Sequence, residues 1–462
     1  MTFTRNLAVR SLFRRILLLS TLLALVLPRG SHALPPSDGD LDLRYGVDGF
    51  GRLEVSRSDY SFPNAVACRK DGFCFLAATV GLANQDFSIF RTNAQAVFDN
   101  GAAVAFDLGG NDNDQPIGVA LQADGSCLAV GVATDSATAG NTTQAAIARV
   151  TPDANLDVSF SGDGRDNVNF VGTATSVAVA TTPDNKIVVA GCYQTGGANG
   201  TDIFVLRYTS AGLLDNSFDG NGIKTFGFDL GGAKNECAYA LAIESNGNIV
   251  VAGYASISSS DSDFAVARLL GTNGALDPAF SGDGKTTVFF DLGGVVDAAH
   301  AVAIDRFGRI VVAGVAVDAS HSSHTAIARL APDGSLPTAP GNFGTNGRFV
   351  GAADSEEAFG VAIAPPPSNR IYYATFNGFG ALTGTGAVDP SFSGDGLVPF
   401  DDPLPGVTSQ SPWAMSFAGG MVTLAGGSSV GALDYNVIAR YWIQQIFGDD
   451  FESASLNAWS GW

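Results

Sequence analysis

The stretch Leu156-Asp157-Val158-Ser159-Phe160-Ser161-Gly162-Asp163-Gly164 decides the reading of the chain. It returns nearly unchanged at 276–284, with Asp277 and Asp283, and at 388–396, with Asp389 and Asp395. A looser copy at 214–222 keeps Asp215 and ends Asp219-Gly220-Asn221-Gly222. Asp and Gly accept left-handed turn conformations that other residues avoid, so Gly-Asp-Gly reads as a tight turn. The upstream Leu and Phe are apolar pegs that hold the turn against a core. A turn signature that recurs along a chain marks a repeat protein.

The unit that follows this copy shows the parts most clearly. Residues 167–171 read as a first strand and 174–180 as a second. After the turn Pro183-Asp184-Asn185, residues 186–191 (Lys-Ile-Val-Val-Ala-Gly) read as a third strand, and after a variable loop 202–208 as a fourth. Each run is short, rich in β-formers and bounded by turn residues. The turn anchors end at Gly49, Gly101, Gly164, Gly222, Gly284, Gly347 and Gly396, between 49 and 63 residues apart. The fourth strands carry Arg91, Arg149, Arg207, Arg268, Arg329 and Arg440, and the sixth unit lacks this arginine. This pattern predicts an all-β fold, a seven-bladed β-propeller built from seven four-stranded repeats of about 50–63 residues. A four-stranded sheet cannot bury both faces alone, and a ring of stacked sheets leaves no large open edge. The rival, a β-helix or open solenoid, usually has shorter repeats. Residues 40–49 resemble the linker into each unit, so the first and last units are expected to meet edge to edge. Whether one sheet mixes strands from both ends stays open.

Composition agrees with many turns joined by β segments. The 57 glycines among 462 residues follow no collagen period, so they serve turns. Arg5, Arg10, Arg14 and Arg15 precede the apolar run 16–27, and Ser31-His32-Ala33 supplies small residues at a cleavage site. This is the pattern of a secretory signal peptide over 1–33, cleaved after Ala33, with a Pro-rich leader at 34–40. The run is shorter than the roughly 20 residues of a spanning helix, and no later segment is long and apolar enough, so no integral membrane segment is expected in the mature chain. The chain is expected to be secreted, or periplasmic or on the cell surface. Cleavage removes five arginines and no acid, which takes the formal net charge from −20 to −25. Such a surface disfavours nucleic acid and anionic membranes. A monomer is expected.

Export permits disulfides, but five cysteines cannot all pair within one chain. If Lys70-Asp71-Gly72 is a hairpin loop, Cys68 and Cys74 face each other across two strands and form a candidate disulfide. Cys127 stands at the repeat position of Cys74 with no partner like Cys68. Cys192 and Cys237 are a weaker candidate pair between neighbouring units. The other reading of these cysteines is buried free thiols.

The run Leu276–284, then Val302-Ala303, then Ile310-Val311-Val312-Ala313-Gly314, then Ala328-Arg329-Leu330, resembles the delta-60 repeat of secreted bacterial proteins. The resemblance covers about 41–446 and implies a β-propeller with no assigned biochemical activity. The second, sixth and seventh units depart most from it. The tail at 447–462, with Asp450-Phe451-Glu452-Ser453 and Trp459-Ser460, resembles a short ending of other exported proteobacterial proteins. That ending implies a surface or sorting role, and a simple edge-covering tail is the alternative.

Three chemistries are open to these residues. The aspartates Asp157, Asp215, Asp277 and Asp389 are expected to pair with strand arginines, an Arg fork gripping a carboxylate bidentately. Calcium is the second, because Asp157, Ser159, Ser161 and Asp163 alternate as in a calcium loop, with another oxygen-rich run at Asn111-Asp112-Asn113-Asp114. The closing bidentate acid is missing at Val168, so no cofactor is expected and calcium stays a minor alternative. Catalysis is the third. His321 and His324 share a loop with Asp318 but lack a third zinc ligand, and no nucleophile elbow or phosphate loop is present. No catalytic, cofactor-binding or metal residues are therefore assigned. The variable loops 131–143, 194–201, 256–263 and 315–324 follow the third strand of successive units and are expected on one face, where repeat proteins bind partners. The expected function is an exported, non-catalytic binding or scaffold module for an extracellular glycan or protein. The alternative is an extracellular propeller enzyme, a hydrolase or lyase, acting on a polysaccharide or other polymer.

Overall fold

The computed structural model describes residues 41–443, apart from 43–44, 47–49, 56–62, 81–85, 107, 109–112, 136–141, 171, 196–199, 231–233, 291, 338–341, 353–356, 402–404 and 431–432. The expected signal peptide at 1–33 with cleavage after Ala33, the expected leader at 34–40 and the tail at 447–462 lie outside the described residues.

The described chain is an all-β propeller. The antiparallel sheets follow one another along the sequence, each with its first strand innermost except the one that joins the two ends, where Val407–Ala418 is innermost. One sheet is Ala174–Thr181, Ile187–Gln194, Thr201–Tyr208 and Ile223–Phe226, running from the axis outward. The second strands read Ile-Val-Val-Ala without polar alternation because both faces are covered: Ile187, Val188, Val189 and Ala190 are all buried. Each apolar core lies between two consecutive sheets. Val188, Ala190, Ile203 and Val205, for example, meet Leu241, Ile249 and Val251 of the next sheet.

Two sequence expectations are corrected. Seven separate four-stranded blades were expected. The structure has five separate four-stranded sheets, and the two remaining repeats run together in one eight-stranded sheet. The join is a parallel bridge between Ser262, in the strand Ser262–Leu269, and Val296, in Gly293–Ile304. Here the crossover between repeats is itself drawn in as strand. Gly293, at φ +82°, and Gly294 permit it, since a Cβ on Gly294 would lie 1.9 Å from the Val317 carbonyl.

The second correction concerns the strand after each Gly-Asp-Gly turn. It was read as opening the next unit. It instead closes the sheet it follows: Arg165–Val168 pairs with Thr142–Val150, and Ile223–Phe226 with Thr201–Tyr208. The turn therefore links the third and fourth strands of one sheet and is not a hinge between blades. Its last glycine needs its left-handed backbone, at φ +95° in Gly164, and a Cβ there would lie 2.6 Å from the Leu156 side chain.

The two ends of the described chain share a sheet. Phe50–Val55 pairs with Leu433–Trp442, beside Met421–Val430 and Val407–Ala418. The segment before it supplies the turn that this sheet otherwise lacks. Leu41 bridges Tyr441, the buried Asp42 carboxylate accepts from Arg440, and the Tyr45 ring lies 4.0 Å from the guanidinium. Leu41-Asp42-x-x-Tyr45 thus takes the place of Leu-Asp-x-Ser-Phe. Ala414, Ala425 and Ile438 of this sheet pack with Val66, Leu76 and Ala96 of the first, which closes the ring.

Candidate functional site

The turn aspartates and strand arginines form a structural lattice. Arg149 Nε donates to Asp157 Oδ2 at 2.8 Å, Arg207 Nε to Asp215 Oδ2 at 2.9 Å, and Arg268 Nε to Asp277 Oδ2 at 2.8 Å. The grip is on one carboxylate oxygen, not the expected bidentate fork. The other oxygen accepts from the backbone N–H two residues on, as Asp157 Oδ1 does from Ser159 at 3.1 Å. Each guanidinium lies over the turn Phe, 4.9 Å from the Phe160 ring for Arg149. Its Nη1 then crosses to the next repeat: Arg91 to Pro152, Arg149 to Ser210, Arg207 to Gly271, Arg268 to Pro332 and Arg329 to Gly384, in each case to a backbone carbonyl. One side chain so ties a strand to its own turn and to its neighbour.

Three repeats depart from this scheme. In the first, Arg91 grips both oxygens of Asp99 at 2.9 Å, the bidentate fork, and lies over the Phe73 ring. The sixth has Ala381 at the arginine position, and Arg370, from the preceding hairpin, takes Asp389 at 2.6 Å instead. In the fifth, the buried Arg329 donates to the Gly384 and Asn342 carbonyls, its Nε has no hydrogen-bond partner among the described residues, and burial lowers its pKa to about 10. Asp163, Asp283 and Asp395 cap their turns by accepting the N–H two residues on, from Arg165, Lys285 and Leu397. Both oxygens of Asp157 are committed to Ser159 and Arg149, so the carboxylate that headed the calcium reading is already satisfied.

Cys68 and Cys74 stand directly opposite and are joined by a disulfide. Cys192 and Cys237 join neighbouring sheets in the same way, and Cys127 is free and buried. Of the two loop histidines, His324 is engaged at both ring nitrogens, by Asp318 at 3.1 Å and by the Gly351 carbonyl at 3.1 Å. His321 sits in the turn at φ +67° and is exposed.

A feature not read from the sequence lies on the innermost strands. In six repeats that strand carries a β-bulge at one position, and the extra residues are Ile117, Val177, Tyr239, His300, Phe359 and Trp413. Bulges re-aim a side chain and gather near binding sites. Opposite five of these bulges stands a glycine: Gly131, Gly191, Gly253, Gly314 or Gly426. A Cβ on any of them would lie within 2.0 Å of the carbonyl two residues before the bulged residue, so the last glycine of Ile-Val-Val-Ala-Gly is required there. That glycine was the signal in the sequence. Repeat six bulges with Thr375 in its place.

Four of the six residues are aromatic or imidazole, and they come from consecutive repeats. The Tyr239 ring lies 5.6 Å from Tyr254 and 5.4 Å from His300. His300 Nδ1 is 3.6 Å from Glu357 Oε2, two residues before Phe359. Phe359 packs on Phe376 at 5.4 Å, and Phe376 on Trp413 at 5.2 Å. Trp413 is 44% exposed, against partial burial of the others. Burial lowers His300 in spite of Glu357, so its imidazole is held neutral, and burial pushes Tyr239 up to about 12. The sector is an aromatic wall edged by a neutral histidine, a carboxylate and two phenols. It lies at the end of the sheets where the second strands finish, because antiparallel pairing sets Ala174 against Tyr193 and Glu236 against Ala255. The variable loops leave from that same end. Residues 136–141 and 196–199 of those loops lie outside the described residues.

Among the described residues no helix is long and apolar enough to cross a membrane. The family model described as "Domain of unknown function (DUF5122) beta-propeller" matches residues 122–160, 182–218, 244–280 and 308–336. No curated protein matches the chain. Among solved structures, a polysaccharide lyase, Uly1, is 10% identical at TM-score 0.49, covering 85% of this chain and 94% of that one. A protein of unknown function from Dyadobacter fermentans DSM 18053 is 11% identical at TM-score 0.42, covering 85% and 100%. PorZ, a surface component of the type-IX secretion system of Porphyromonas gingivalis, is 13% identical at TM-score 0.40, covering 88% of this chain and 48% of that one. The chain is a β-propeller repeat protein, similar over four stretches to that DUF5122 family.

Proposed function

We propose that this protein is an exported binding module that holds an extracellular glycan against the aromatic sector of its axis. The observation that carries the reading is the placement of Tyr239, His300, Phe359 and Trp413 on bulges of consecutive inner strands. A sugar ring has an apolar C–H face and a hydroxyl edge. Aromatic faces suit the first, and His300, Glu357 and the tyrosines suit the second. The uniform turns and arginines make a rigid frame, while the bulged residue changes from repeat to repeat. Varied groups on a fixed scaffold are how repeat proteins recognise ligands. Secretion follows the signal-like pattern at 1–33 and supports a glycan of the cell's surroundings. One feature favours the alternative, an extracellular enzyme on a polysaccharide: His300 and Glu357 form an acid–base pair beside Tyr239.

A glycan array with the purified chain tests the reading. Enrichment of particular glycans is expected, with loss of about tenfold or more in affinity for Trp413→Ala, a size usual for an aromatic anchor. Trp413 is exposed enough for this variant to keep its melting temperature. Binding that is unchanged in Trp413→Ala, or no enriched glycan, rejects the site. Release of new reducing ends from a bound polysaccharide, abolished in His300→Ala, would replace the binding reading with the enzymatic one.

A further inference from the structure

Three repeats place an acid three residues ahead of the bulged residue: Asp114, Glu236 and Asp297. The two aspartates do a local job. Asp114 Oδ2 accepts the Phe106 N–H at 2.8 Å, and Asp297 Oδ2 accepts the Phe290 N–H at 2.9 Å. Each ties the incoming crossover to the inner strand. Glu236 is one methylene longer and behaves differently. It is 1% exposed, yet among the described residues neither carboxylate oxygen closes a hydrogen bond. The Asp229 backbone N–H faces it without closing one. A buried carboxylate left in this state is costly, so the site calls for a partner.

Its surroundings say what the partner is. The position that a Cβ on Gly227 would occupy lies 3.2 Å from Asp202 Oδ1, 3.5 Å from Glu236 Oε2 and 3.6 Å from Asp229 Oδ2. Those are its three nearest atoms outside Gly227 and its chain neighbours. Lys234 stands 3.4 Å from the other oxygen of Asp229, Oδ1, and leaves Oδ2 turned toward the cluster. Three carboxylates therefore converge against one lysine, on the face where the variable loops leave. Asp229 is largely exposed and opens the cluster to solvent. Burial first, and then the charge of Asp202, pushes Glu236 up to about 7.

We propose that Asp202, Asp229 and Glu236 form a binding site for one divalent cation of the calcium type. A hard cation of this size takes carboxylate oxygens at about 2.3–2.6 Å in flexible geometry. No three acidic, His or Cys side chains stand at ligating distance among the described residues. The three carboxylates must draw together around an ion seated clear of the Gly227 backbone, which the cation's charge drives and the exposed Asp229 side chain permits. The cation would fasten the crossover at Phe228-Asp229 to the strands Thr201–Tyr208 and Glu236–Ile243, beside the Cys192–Cys237 disulfide. It would thereby brace the loop face next to Tyr254, at the edge of the aromatic sector.

Terbium luminescence tests this on the full mature chain after chelator treatment. Tyr254, which feels the Glu236 charge, is the nearby sensitiser. A saturable terbium signal excited through tyrosine is expected, displaced by Ca2+. The affinity should fall by about tenfold or more in Glu236→Gln and in Asp229→Asn, since each removes one charged ligand. Asp229 is exposed, so its variant folds even if Glu236→Gln does not. Equal terbium affinity in wild type and Asp229→Asn, or a signal that Ca2+ does not displace, overturns the proposal. Glycan binding that fails while the cation site survives separates this proposal from the function above.

Discussion

Replacing Asp215 by Asn leaves Arg207 charged and buried without its carboxylate. The Arg207 side chain is 2% exposed and Asp215 11%. Asp215 also takes Lys186 at 3.0 Å, so the substitution strands two positive groups. Burial alone would raise the Asp215 pKa, but the Ser217 hydroxyl and N–H, Lys186 and Arg207 together hold it well below the usual carboxylate range. Breaking a buried pair by removing one partner costs about 3–5 kcal/mol. With about 2.1 cal/mol/K of unfolding entropy per residue over about 400 residues, that lowers Tm by about 4–6 °C. The matched control is Asp163→Asn. Its partner Arg165 is 3.4 Å away and both side chains are well exposed, so the cost is below about 1 kcal/mol and the shift about 1 °C or less. Differential scanning calorimetry on the two variants reads the contrast. If Asp215→Asn melts within about 1 °C of Asp163→Asn, the carboxylate is not what satisfies the strand arginine, and the lattice argument fails.

Two further outcomes follow from the same geometry. Gly253→Ala places a Cβ 1.8 Å from the Cys237 carbonyl, so the bulge at Tyr239 must open. A loss of several kcal/mol is expected, of the order of strained backbone plus overpacking, together with loss of Tyr239 from the aromatic sector; a variant as stable as wild type by urea unfolding would remove the glycine argument. Glu236, raised from 4.5 to about 7 by burial and then by Asp202 and Asp229, binds its proton more tightly when folded. Its contribution to stability is therefore full below about pH 4.5 and is lost as pH rises through about 7. His300 is lowered by burial and has the opposite sign: its contribution is present above its unfolded value and is lost as pH falls. In chelator, the wild-type Tm should decline relative to Glu236→Gln between pH 5 and pH 8, and parallel profiles would contradict the shift.

The repeated turn was legible because Asp and Gly in fixed order serve one local geometry. The pairing of Asp157, Asp215 and Asp277 with strand arginines was legible for the same reason: eight or nine residues of chain separate the partners. What those arginines do with their remaining nitrogen was not, because the carbonyls they reach, such as Gly271 for Arg207, belong to the next repeat. The stand-in of Arg370 for the missing sixth arginine was hidden likewise, since a hairpin residue and a strand residue share space only in the folded sheet.

The amino-acid sequence by itself determined the class of fold, because β-propensity, turn chemistry and repeat spacing are local properties of the chain. It determined the spacing of Cys68 and Cys74 across a three-residue loop on the same grounds. Tertiary structure alone decided how strands are shared among sheets. The strand after Gly-Asp-Gly joins the sheet behind it, Phe50–Val55 joins the last sheet, and two repeats merge through Ser262 and Val296. Each of these is a choice of hydrogen-bonding partner across a gap in sequence, and an edge strand carries no local mark of which edge it will meet. The aromatic sector belongs to the same category. Tyr239, His300, Phe359 and Trp413 stand about 60 residues apart, and only stacking of consecutive sheets brings their bulges to one side of the axis.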